Sequence, residues 1–407
     1  MEVSKRGEGA FIVRIMSKDV LLIARPDHSY LIYKGLERSK LSFLYLTFKA
    51  FPLWMKKMLF RNNPKVVALD KHYKIVWSLS IVNILRFTLG WRFLSFIKES
   101  DLLNSVASKV LRNNDFKIVH YWPLYCLDTI SALKKKNPKV YTVADMYMPC
   151  EKYILEKYSS YMESLGLEHN FDYIKAGFSN LEQLMQVEDN FFVPSEYVAQ
   201  TYRKYYPKKN YVVVSYGITI YAQYRKKAFL NSAKPMKFVY VGTISVEKGC
   251  DLLLEWFSGQ TFHELHLFGK VHYAEVHLFE KYKQNKRIVF HGTVAKSELQ
   301  DNISQYDVGI HLSRFDAYSL AVGEVIGCGL PVVVSSETGI SEEVRKNGWG
   351  IVCDIDYPDA ITEAIHRISE PQCYNECLRQ IDKYITSNPQ SYSDCVIDAY
   401  WKILRNL

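Results

Sequence analysis

Short apolar runs that end in glycine or a small polar residue recur through the second half of the chain. They are KFVYVG (237–242), ELHLFG (264–269), RIVFHG (287–292), DVGIHLS (307–313), LPVVVSS (330–336) and WGIVCD (349–354). Runs of this length that are rich in β-branched and aromatic residues predict strands, and their continuous apolar character predicts burial on both faces.

Segments of helical length separate these runs. Residues 250–259 have helical character and end at Gly259, residues 319–327 are predicted to form a second helix, and residues 358–369 form an amphipathic pattern. Strands that alternate with helices predict βαβ units and therefore a parallel sheet.

The first half of the chain shows a weaker form of the same alternation. Its strand candidates are residues 19–25, 65–70, 116–122, 139–145 and 190–195. The two halves meet near residues 211–218, and residues 219–236 look like a linker. We therefore expect an α/β protein with two Rossmann-like domains, 1–216 and 217–385, whose parallel sheets face each other across a cleft. A C-terminal helix over 386–407 could cross back to the first domain.

Composition is that of a folded globular protein, since 48% of the 407 residues are apolar and 23% are charged. Eight cysteines are scattered without a Cys-x-x-Cys pair, and Cys373 and Cys377 have no partners that would complete a zinc site. We expect reduced thiols, no metal and a cytoplasmic protein. The N-terminal residues contain no apolar run typical of a signal peptide, and no apolar run is long enough to span a membrane, so we expect neither a signal peptide nor a transmembrane helix.

Positive charge is concentrated in the first third of the chain. Residues 1–140 carry 25 Lys and Arg against 10 Asp and Glu, a net charge of +15, whereas residues 217–407 carry 20 against 23, a net charge of −3. Segments 41–61 and 75–98 mix Leu, Phe and Trp with Lys and Arg, a composition found at membrane interfaces. An anionic membrane surface is therefore an expected partner, with core-packing helices as the alternative. No basic–aromatic motif of a nucleic-acid-binding module is present, so we expect no nucleic acid.

Two acids lie eight positions apart in RFDAYSLAVGEVIGCGLPVVVSS (314–336). The amino end of the predicted helix 319–327 favours a phosphate, because its first N–H groups are unsatisfied. Asp316 lies in the loop before this helix, where it could accept hydrogen bonds from a sugar, and Glu324 lies inside it, where it could accept from ribose hydroxyls. The alternatives are a helix N-cap for Asp316 and a solvent-facing position for Glu324.

A second anion site is predicted in VYVGTISVEKGCDLLLEWF (239–257), where a strand, Gly242 and a short loop precede a helix. Lys248 at the start of that helix could stabilise a diphosphate leaving group, although a solvated loop lysine is the alternative. The glycine spacing is not that of a P-loop.

Taken together, GTISVEKG (242–249), the pair Asp316 and Glu324, and GCGLPVVVSSETGISEEV (327–344) resemble the retaining glycosyltransferases of family 4, which have the GT-B fold. FVPSEYV (192–198) and VVSYGI (213–218) are similar to the end of the first domain and the hinge in that family. The resemblance covers roughly residues 190–370, and residues 1–190 match only in the rhythm of their strands.

The resemblance implies a role for each matching position. Lys248 would contact the diphosphate of a nucleotide sugar, Glu324 the ribose, and Asp316, where the family usually has Glu, the donor sugar. The resemblance also places further residues at the donor: Gly242, Thr243, Thr293, Val294, Tyr318, Ser319 and Leu320. Of these, the backbone of residues 318–320 would hold the distal phosphate, and residues 293–294 would flank the base.

The sequence departs from the family at three places. Thr243 replaces the usual Arg, so Lys248 acts alone or with Arg314 or Lys270. Ala317 and Ser319 replace two glycines, which makes the loop stiffer. The His expected near the acceptor is missing from YTVADMYMP (141–149), where Asp145 lies, and His120 is the other acceptor-side candidate.

We therefore expect an enzyme of the hexosyltransferase class that moves a sugar, with retention, from a nucleoside diphosphate-sugar to a saccharide. A lipid-linked saccharide of surface polysaccharide or lipopolysaccharide biosynthesis is the expected acceptor, and the inner face of the cytoplasmic membrane the expected location. No cofactor or metal is expected. The alternatives are an inactive GT-B subunit that binds a partner and a GT-B nucleotide-sugar epimerase.

Overall fold

The fold is described from a computed structural model of the chain. It describes residues 17–24, 26–48, 50–59, 67–76, 99–123, 126–221, 234–357, 359–387 and 389–407. Within these residues the strands form a seven-stranded sheet, a six-stranded sheet and a two-stranded ribbon. The prediction of two α/β domains with parallel sheets is confirmed.

The seven-stranded sheet has the order β5-β2-β1-β6-β7-β8-β9. Its strands are β1 (Lys18–Ile23), β2 (Phe43–Thr47), β5 (Tyr73–Ile75), β6 (Phe116–Tyr121), β7 (Tyr141–Asp145), β8 (Asn190–Val193) and β9 (Asn210–Val213). Strands β3 (Ala50–Pro52) and β4 (Val67–Leu69) pair with each other in parallel as the separate ribbon.

The six-stranded sheet has the order β12-β11-β10-β13-β14-β15, and all its strands are parallel. The strands are β10 (Lys237–Val241), β11 (Glu264–Phe268), β12 (Ile288–Gly292), β13 (Val308–His311), β14 (Val332–Ser335) and β15 (Gly350–Cys353). The chain runs outward from β10 to β12 and then continues on the other side of β10 with β13. This reversal opens a crevice at the carboxyl ends of β10 and β13, the usual ligand position in such sheets.

Helices connect the strands of both sheets. In chain order they are α1 (Pro26–Arg38), α2 (Leu53–Leu59), α3 (Glu99–Asn113), α4 (Leu127–Lys136), α5 (Glu151–Ser164), α6 (Asp172–Val187), α7 (Glu196–Arg203), α8 (Cys250–Ser258), α9 (Val276–Phe279), α10 (Lys296–Ile303), α11 (Leu320–Gly327), α12 (Ser341–Asn347), α13 (Ala360–Ser369), α14 (Pro371–Thr386) and α15 (Tyr392–Asn406). Short 3₁₀ turns lie at Glu168–Phe171, Tyr273–Glu275 and Glu280–Gln284.

The chain divides into two compact units. One unit extends to Ala144 and takes in Tyr400–Leu407, and the other is Asp145–Ala399. In the second unit one cluster of buried side chains lies under α5, α6, α8, α13 and α14, and it includes Ile154, Phe171 and Phe257. A second cluster includes Val322, Val334 and Trp349. Each cluster combines aliphatic and aromatic side chains, whose removal from water stabilises the fold.

The structure corrects part of the interpretation of segment 41–61. Residues 43–47 form the buried strand β2, which lies between β5 and β1 in the large sheet, so they are neither an interfacial segment nor a helix. Aromatic residues favour strands when they pack between neighbouring strands. The lysines elsewhere in segment 41–61 made the segment resemble an interfacial one, so the strand was not predicted. The candidate strand 65–70 is present as β4, but in the ribbon. Of segment 75–98, residues 77–98 lie outside the described residues.

Among the described helices, none is long and apolar enough to cross a membrane. The eight cysteines are all unpaired, and six of them are buried. Burial raises the pKa of the Cys250 and Cys353 thiols to about 12, so these thiols are protonated at neutral pH.

Candidate functional site

The loop after β10 and the loop after β13 are in direct contact at the crevice. The backbone N–H of Arg314 donates to the carbonyl of Glu247 at 2.9 Å. Gly249, which directly precedes α8 as its N-cap, has φ +69°, and a Cβ at this position would lie 1.8 Å from the carbonyl oxygen of Leu312. Only glycine allows this approach, so the Glu-Lys-Gly sequence fixes the position of Lys248 against the end of β13.

Lys248 lies between two carboxylates. Its Nζ is 3.0 Å from Oδ2 of Asp316 and 3.1 Å from Oε1 of Glu247. Burial alone would lower the pKa of Lys248, but the attraction and hydrogen bonds of Asp316 and Glu247 outweigh it and raise the pKa well above its ordinary value. The lysine is therefore charged, and the three side chains together carry a net charge of −1.

Asp316 organises the loop that leads into α11. Its Oδ1 accepts from the backbone N–H of Tyr318 at 3.2 Å, and its backbone pairs with the loop after β14, where Gly339 donates to its carbonyl at 2.8 Å. The N-cap of α11 is Ser319, so Asp316 is not the cap that its position before a helix suggested. Its carboxylate is oriented by the loop and by Lys248.

Ser319 has a left-handed backbone, with φ +69° and ψ +80°, and its side chain makes no capping hydrogen bond. A non-glycine residue in this region is strained. The serine holds a conformation that glycine adopts freely, and the greater stiffness of this loop stays a prediction.

Tyr318 belongs to the same loop, and its side chain is almost fully buried. Its hydroxyl donates to Oε2 of Glu343 at 3.1 Å, and Ser215 Oγ donates to Oε1 of the same carboxylate at 2.7 Å. Burial raises the pKa of Glu343, while the two hydroxyl donors oppose that rise. Glu343 on α12 thus anchors the loop after β13 through Tyr318. Glu324 is half-buried on α11, so it is not the fully solvent-facing residue of the alternative interpretation.

The loops after β10 and β11 also touch. Gly242 has φ +141°, and a Cβ on Gly269 would lie 1.7 Å from the Gly242 carbonyl oxygen. Thr243 is exposed, and its carbonyl accepts from the Tyr240 hydroxyl at 2.6 Å. Lys270 follows Gly269 and is exposed, and its backbone carbonyl accepts from Ile244 at 3.0 Å. Lys270 therefore lies beside the loop that carries Thr243, where the resemblance led us to expect an arginine.

Arg314 forms an ion pair with Asp251 and is not available to assist Lys248. Its guanidinium makes a bidentate ion pair with Asp251, with N–O distances of 2.7 and 2.8 Å, and its centre lies 4.3 Å from the Tyr161 ring centroid. It is 6% exposed. Of the two expected helpers of Lys248, this pairing leaves Lys270 as the cation at the crevice edge.

Thr293 and Val294 follow β12, which is the edge strand two positions from β10. Thr293 is exposed, and Val294 is half-buried against the cluster around Val322. Both lie at the same carboxyl edge as Lys248, where a ligand extending from β10 toward β12 would reach them.

The two acceptor-side candidates have different surroundings. His120 on β6 is fully buried, its Nδ1 is 2.7 Å from the Tyr400 hydroxyl, and burial lowers its pKa to about 3, so the ring is neutral. Asp145 ends β7 and is 5% exposed. Burial first, and then the carboxylates of Asp145 and Asp316, raise the pKa of Tyr216, so both acids lie within electrostatic reach of that tyrosine.

Three residues near Lys248 were not identified from the sequence. Glu247 directly precedes Lys248, and this adjacency was the available signal. Glu275 is buried, and its Oε2 accepts from the Val246 N–H at 2.6 Å, which fixes the loop that carries Lys248. His311 at the end of β13 is buried, and burial lowers its pKa to about 4, so it is neutral beneath the ion pair. No local pattern marks the last two residues.

Side chains of α5, α6, α7 and the 3₁₀ turn Glu168–Phe171 contact the crevice loops. The hydroxyl of Tyr173 donates to Oε2 of Glu247 at 3.2 Å, and Asn170 Nδ2 donates to Oε1 of Glu275 at 2.8 Å. On the loop after β14, Glu337 accepts from Tyr197 at 2.9 Å and pairs with Lys157 at 2.7 Å. The crevice loops are therefore held by many polar contacts and are preorganised.

Chemically, the crevice offers one cation between two carboxylates, an exposed lysine nearby and a helix amino end. Within the described part of the chain, no three His, Cys, Asp or Glu side chains cluster as a metal site requires. A phosphorylated ligand with hydroxyl groups fits this set, because lysine and N–H groups bind phosphate and carboxylates accept from hydroxyls.

Sequence comparison finds a family match in the part of the chain that carries the crevice. Residues 223–386 match the family model described as glycosyl transferases group 1. No curated protein sequence matches the chain significantly.

Solved structures resemble nearly the whole chain in fold. Sucrose-phosphate synthase from Thermosynechococcus elongatus has a TM-score of 0.65 at 14% identity, with 96% of this chain and 98% of that chain covered. The lipopolysaccharide outer core galactosyltransferase WaaB has a TM-score of 0.62 at 14% identity, with 94% and 99% covered. Anabaena HepE, solved in complex with UDP and glucose, has a TM-score of 0.57 at 12% identity, with 96% and 100% covered.

Proposed function

We propose that this chain, a glycosyltransferase, moves a hexosyl group from a nucleoside diphosphate-sugar to a saccharide hydroxyl with retention of the anomeric configuration. The observation that carries the proposal is the contact of Lys248 with Asp316 at the crevice between β10 and β13, inside the segment that matches the glycosyltransferase family model. The complex of HepE with UDP and glucose supports a nucleotide sugar as the donor.

The donor would lie along the carboxyl edge of the small sheet. Its diphosphate would meet Lys248 and the first N–H groups of α11, contributed by Ser319 and Leu320. The sugar would lie at Asp316 and the ribose at Glu324, which accept hydrogen bonds from hydroxyls. The base would extend toward Thr293 and Val294, beyond the end of β12.

Binding requires an exchange of partners at Lys248. Before the donor arrives, the lysine charge is balanced by Asp316 and Glu247 at distances near 3 Å. A diphosphate that enters the crevice takes over part of this charge, and Asp316 turns to the sugar hydroxyls. Glu275 holds the loop after β10 through the Val246 N–H, and Glu343 holds the loop after β13 through the Tyr318 hydroxyl, so only side chains would need to move.

In the transfer step the bond between the anomeric carbon and the diphosphate oxygen breaks, and its electron pair leaves with the diphosphate. The acceptor hydroxyl attacks on the same face and forms the new glycosidic bond, while its proton passes to the departing phosphate oxygen. Lys248 stabilises the negative charge that develops on the leaving group, which is the form of catalysis expected of a preorganised cation. No protein base is needed for this proton transfer.

The acceptor is proposed to be a lipid-linked saccharide of surface polysaccharide synthesis. The net charge of +15 over residues 1–140 supports binding to an anionic membrane surface, where the chain would bind peripherally on the cytoplasmic side. Lys56 and Lys57 on α2 belong to this basic third and are accessible to solvent.

The test is a hydrolysis and transfer assay with a panel of UDP-, GDP-, ADP- and TDP-sugars, with and without EDTA. We expect turnover of one donor class that is resistant to EDTA, and loss of turnover in Lys248→Ala but not in Lys281→Ala, an exposed lysine of the same unit. Nucleotide binding without turnover of any donor would contradict the proposal and favour the inactive subunit. Conversion of the donor sugar into its epimer would favour the epimerase.

Retention is tested separately on the product. NMR of the first product formed from an α-linked donor should show an α-linkage, and a β-linkage would contradict the front-face step without affecting the assignment of the donor site.

A further inference from the structure

A second polar cavity lies in the same unit, away from the crevice. It has a volume of about 580 Å³ and is formed between the carboxyl end of α12 and the outer face of α14. Trp349, which contributes to its wall, directly precedes β15, so the cavity lies at the amino edge of the small sheet. Lys248 and Asp316 lie at the opposite, carboxyl edge.

Positive charge dominates the cavity wall. Arg345, Lys346 and Lys383 line it, against one carboxylate, Glu376. Glu376 is already engaged, because it pairs with Arg379 and accepts from Gln380 Nε2 at 2.8 Å. Arg345 pairs with the exposed Glu342, whereas no ion pair engages Lys346 or Lys383 within the residues that the structure describes. Two lysines are thus available for an anion.

Trp349 in the cavity wall carries a buried donor that lacks an acceptor among the described residues. Trp349 is 1% exposed, and its ring lies 4.5 Å from that of Tyr384. Its indole Nε1–H is buried and has no hydrogen-bond partner in the described structure. An unsatisfied buried donor destabilises the fold, and an oxygen that reaches it removes this cost.

Neutral polar groups complete the wall. Asn347 Nδ2 donates to the Glu343 carbonyl at 2.8 Å, and Gln380 Nε2 donates to Glu376, so each amide presents its oxygen as an acceptor. Gly348, with φ +68°, leaves space at 3.4 Å from Gln380 Cγ that a side chain would fill. Amide oxygens suit sugar hydroxyls, and the volume is that of a small-molecule site.

We propose that this cavity binds a small anionic saccharide, a sugar that carries a phosphate or a carboxylate. The anionic group lies at Lys346 and Lys383, and the hydroxyls lie at the amide oxygens of Asn347 and Gln380. The site is separate from the donor crevice, so the proposal does not depend on the transfer reaction.

The test is calorimetric titration of the full chain with glucose 6-phosphate and glucuronate, and with glucose and inorganic phosphate for comparison. We expect one of the two anionic sugars to bind at least tenfold more tightly than glucose and than inorganic phosphate. Failure of both to bind overturns the proposal, and equal binding of inorganic phosphate overturns the assignment of a saccharide.

Variants locate the binding site. Lys346→Ala combined with Lys383→Ala should weaken binding at least tenfold, whereas Lys281→Ala combined with Lys283→Ala, a matched exposed pair in the same unit, should not change it. Trp349→Phe keeps an aromatic ring and removes the N–H donor, so it should weaken binding several-fold. An unfolding curve of this variant confirms that the chain is folded. Lys248→Ala should retain full affinity, and loss of binding there would place the sugar in the crevice and overturn the proposal.

Discussion

Lys248 and Asp316 meet at 3.0 Å although 67 residues separate them in the chain. Each follows a strand, and β10 and β13 become neighbours only because the strand order reverses between them. The contact therefore depends on the topology of the sheet, and it places a cation where a parallel α/β sheet binds its ligands. Predictions about the donor site begin with this pair.

Replacing Lys248 by alanine should lower kcat more than it raises KM. The lysine charge is most useful when negative charge builds up on the departing diphosphate, so its loss is expected to reduce kcat about 100- to 1000-fold. Steady-state kinetics with the donor identified in the panel measures both constants. A variant with normal kcat and weaker donor binding would show that Lys248 only holds the donor.

Glu324→Ala should weaken binding of the cognate nucleoside diphosphate. Two ribose hydroxyls would lose their acceptor, which costs on the order of 1–3 kcal/mol. Calorimetry on the variant and on Glu280→Ala, an exposed acid remote from α11, provides the comparison. Equal affinity in the two variants and in the parent chain would remove Glu324 from the nucleotide site.

The stability of the chain should depend on pH through Glu275. Burial raises the pKa of its carboxyl to about 7, against 4.5 when exposed. Between these values the folded state keeps a proton that the unfolded state has lost, so the free energy of unfolding should fall as the pH rises from about 4.5 through 7. Glu275→Gln cannot ionise, so it should flatten this part of the profile. Its hydrogen bond with Asn170 can be kept, because the Asn170 amide can rotate to present its oxygen to the new amide.

The pH profile is measured as chemical unfolding at half-unit steps between pH 4.5 and 8. Glu280→Gln, which removes an exposed carboxylate, serves as the control and should leave the profile of the parent chain unchanged. Parallel profiles for Glu275→Gln and the parent chain would mean that the proton on Glu275 is not the source of the slope.

Ser319→Gly should stabilise the fold. The left-handed backbone of residue 319 costs a side-chain-bearing residue about 1–2 kcal/mol, and glycine avoids that cost although it loses more entropy on folding. We expect a net gain of about 1 kcal/mol in the free energy of unfolding. Ser319→Ala keeps the strain and should bring no gain, so a gain of equal size in both variants would point to the lost hydroxyl instead.

The basic third of the chain should bind anionic vesicles at low salt and neutral vesicles poorly. Basic side chains near a charged membrane contribute on the order of 1 kcal/mol each and are screened by salt. Lys56→Glu with Lys57→Glu should therefore reduce sedimentation with vesicles, whereas Lys281→Glu with Lys283→Glu makes the same charge change in the other unit and should not. Absence of wild-type sedimentation would favour a soluble polyanionic acceptor.

Much of the small sheet could be predicted from the sequence, because its strands are apolar on both faces and end in glycine or a small polar residue. Strand β2 could not, since Phe43–Thr47 lies in a stretch whose lysines and tryptophan are typical of a membrane interface. Lys248 and Asp316 could be placed at one edge of the sheet, but their direct contact depends on strand order. Glu275 reaches the Val246 N–H through a 3₁₀ turn 29 residues away, and no local periodicity encodes such a contact.

Helix α12 is only seven residues long, and its two ends contact different parts of the same unit. The backbone N–H of Ile340, immediately before the helix, donates to the Tyr318 carbonyl in the loop after β13. Asn347, at the carboxyl end of the helix, lines the basic cavity. The wall of the basic cavity and the loop after β13 are thus joined through one short helix. If an anion in the cavity changed the affinity of the proposed nucleotide site through α12, thermodynamic linkage would require the nucleotide to change the affinity for the anion by the same factor.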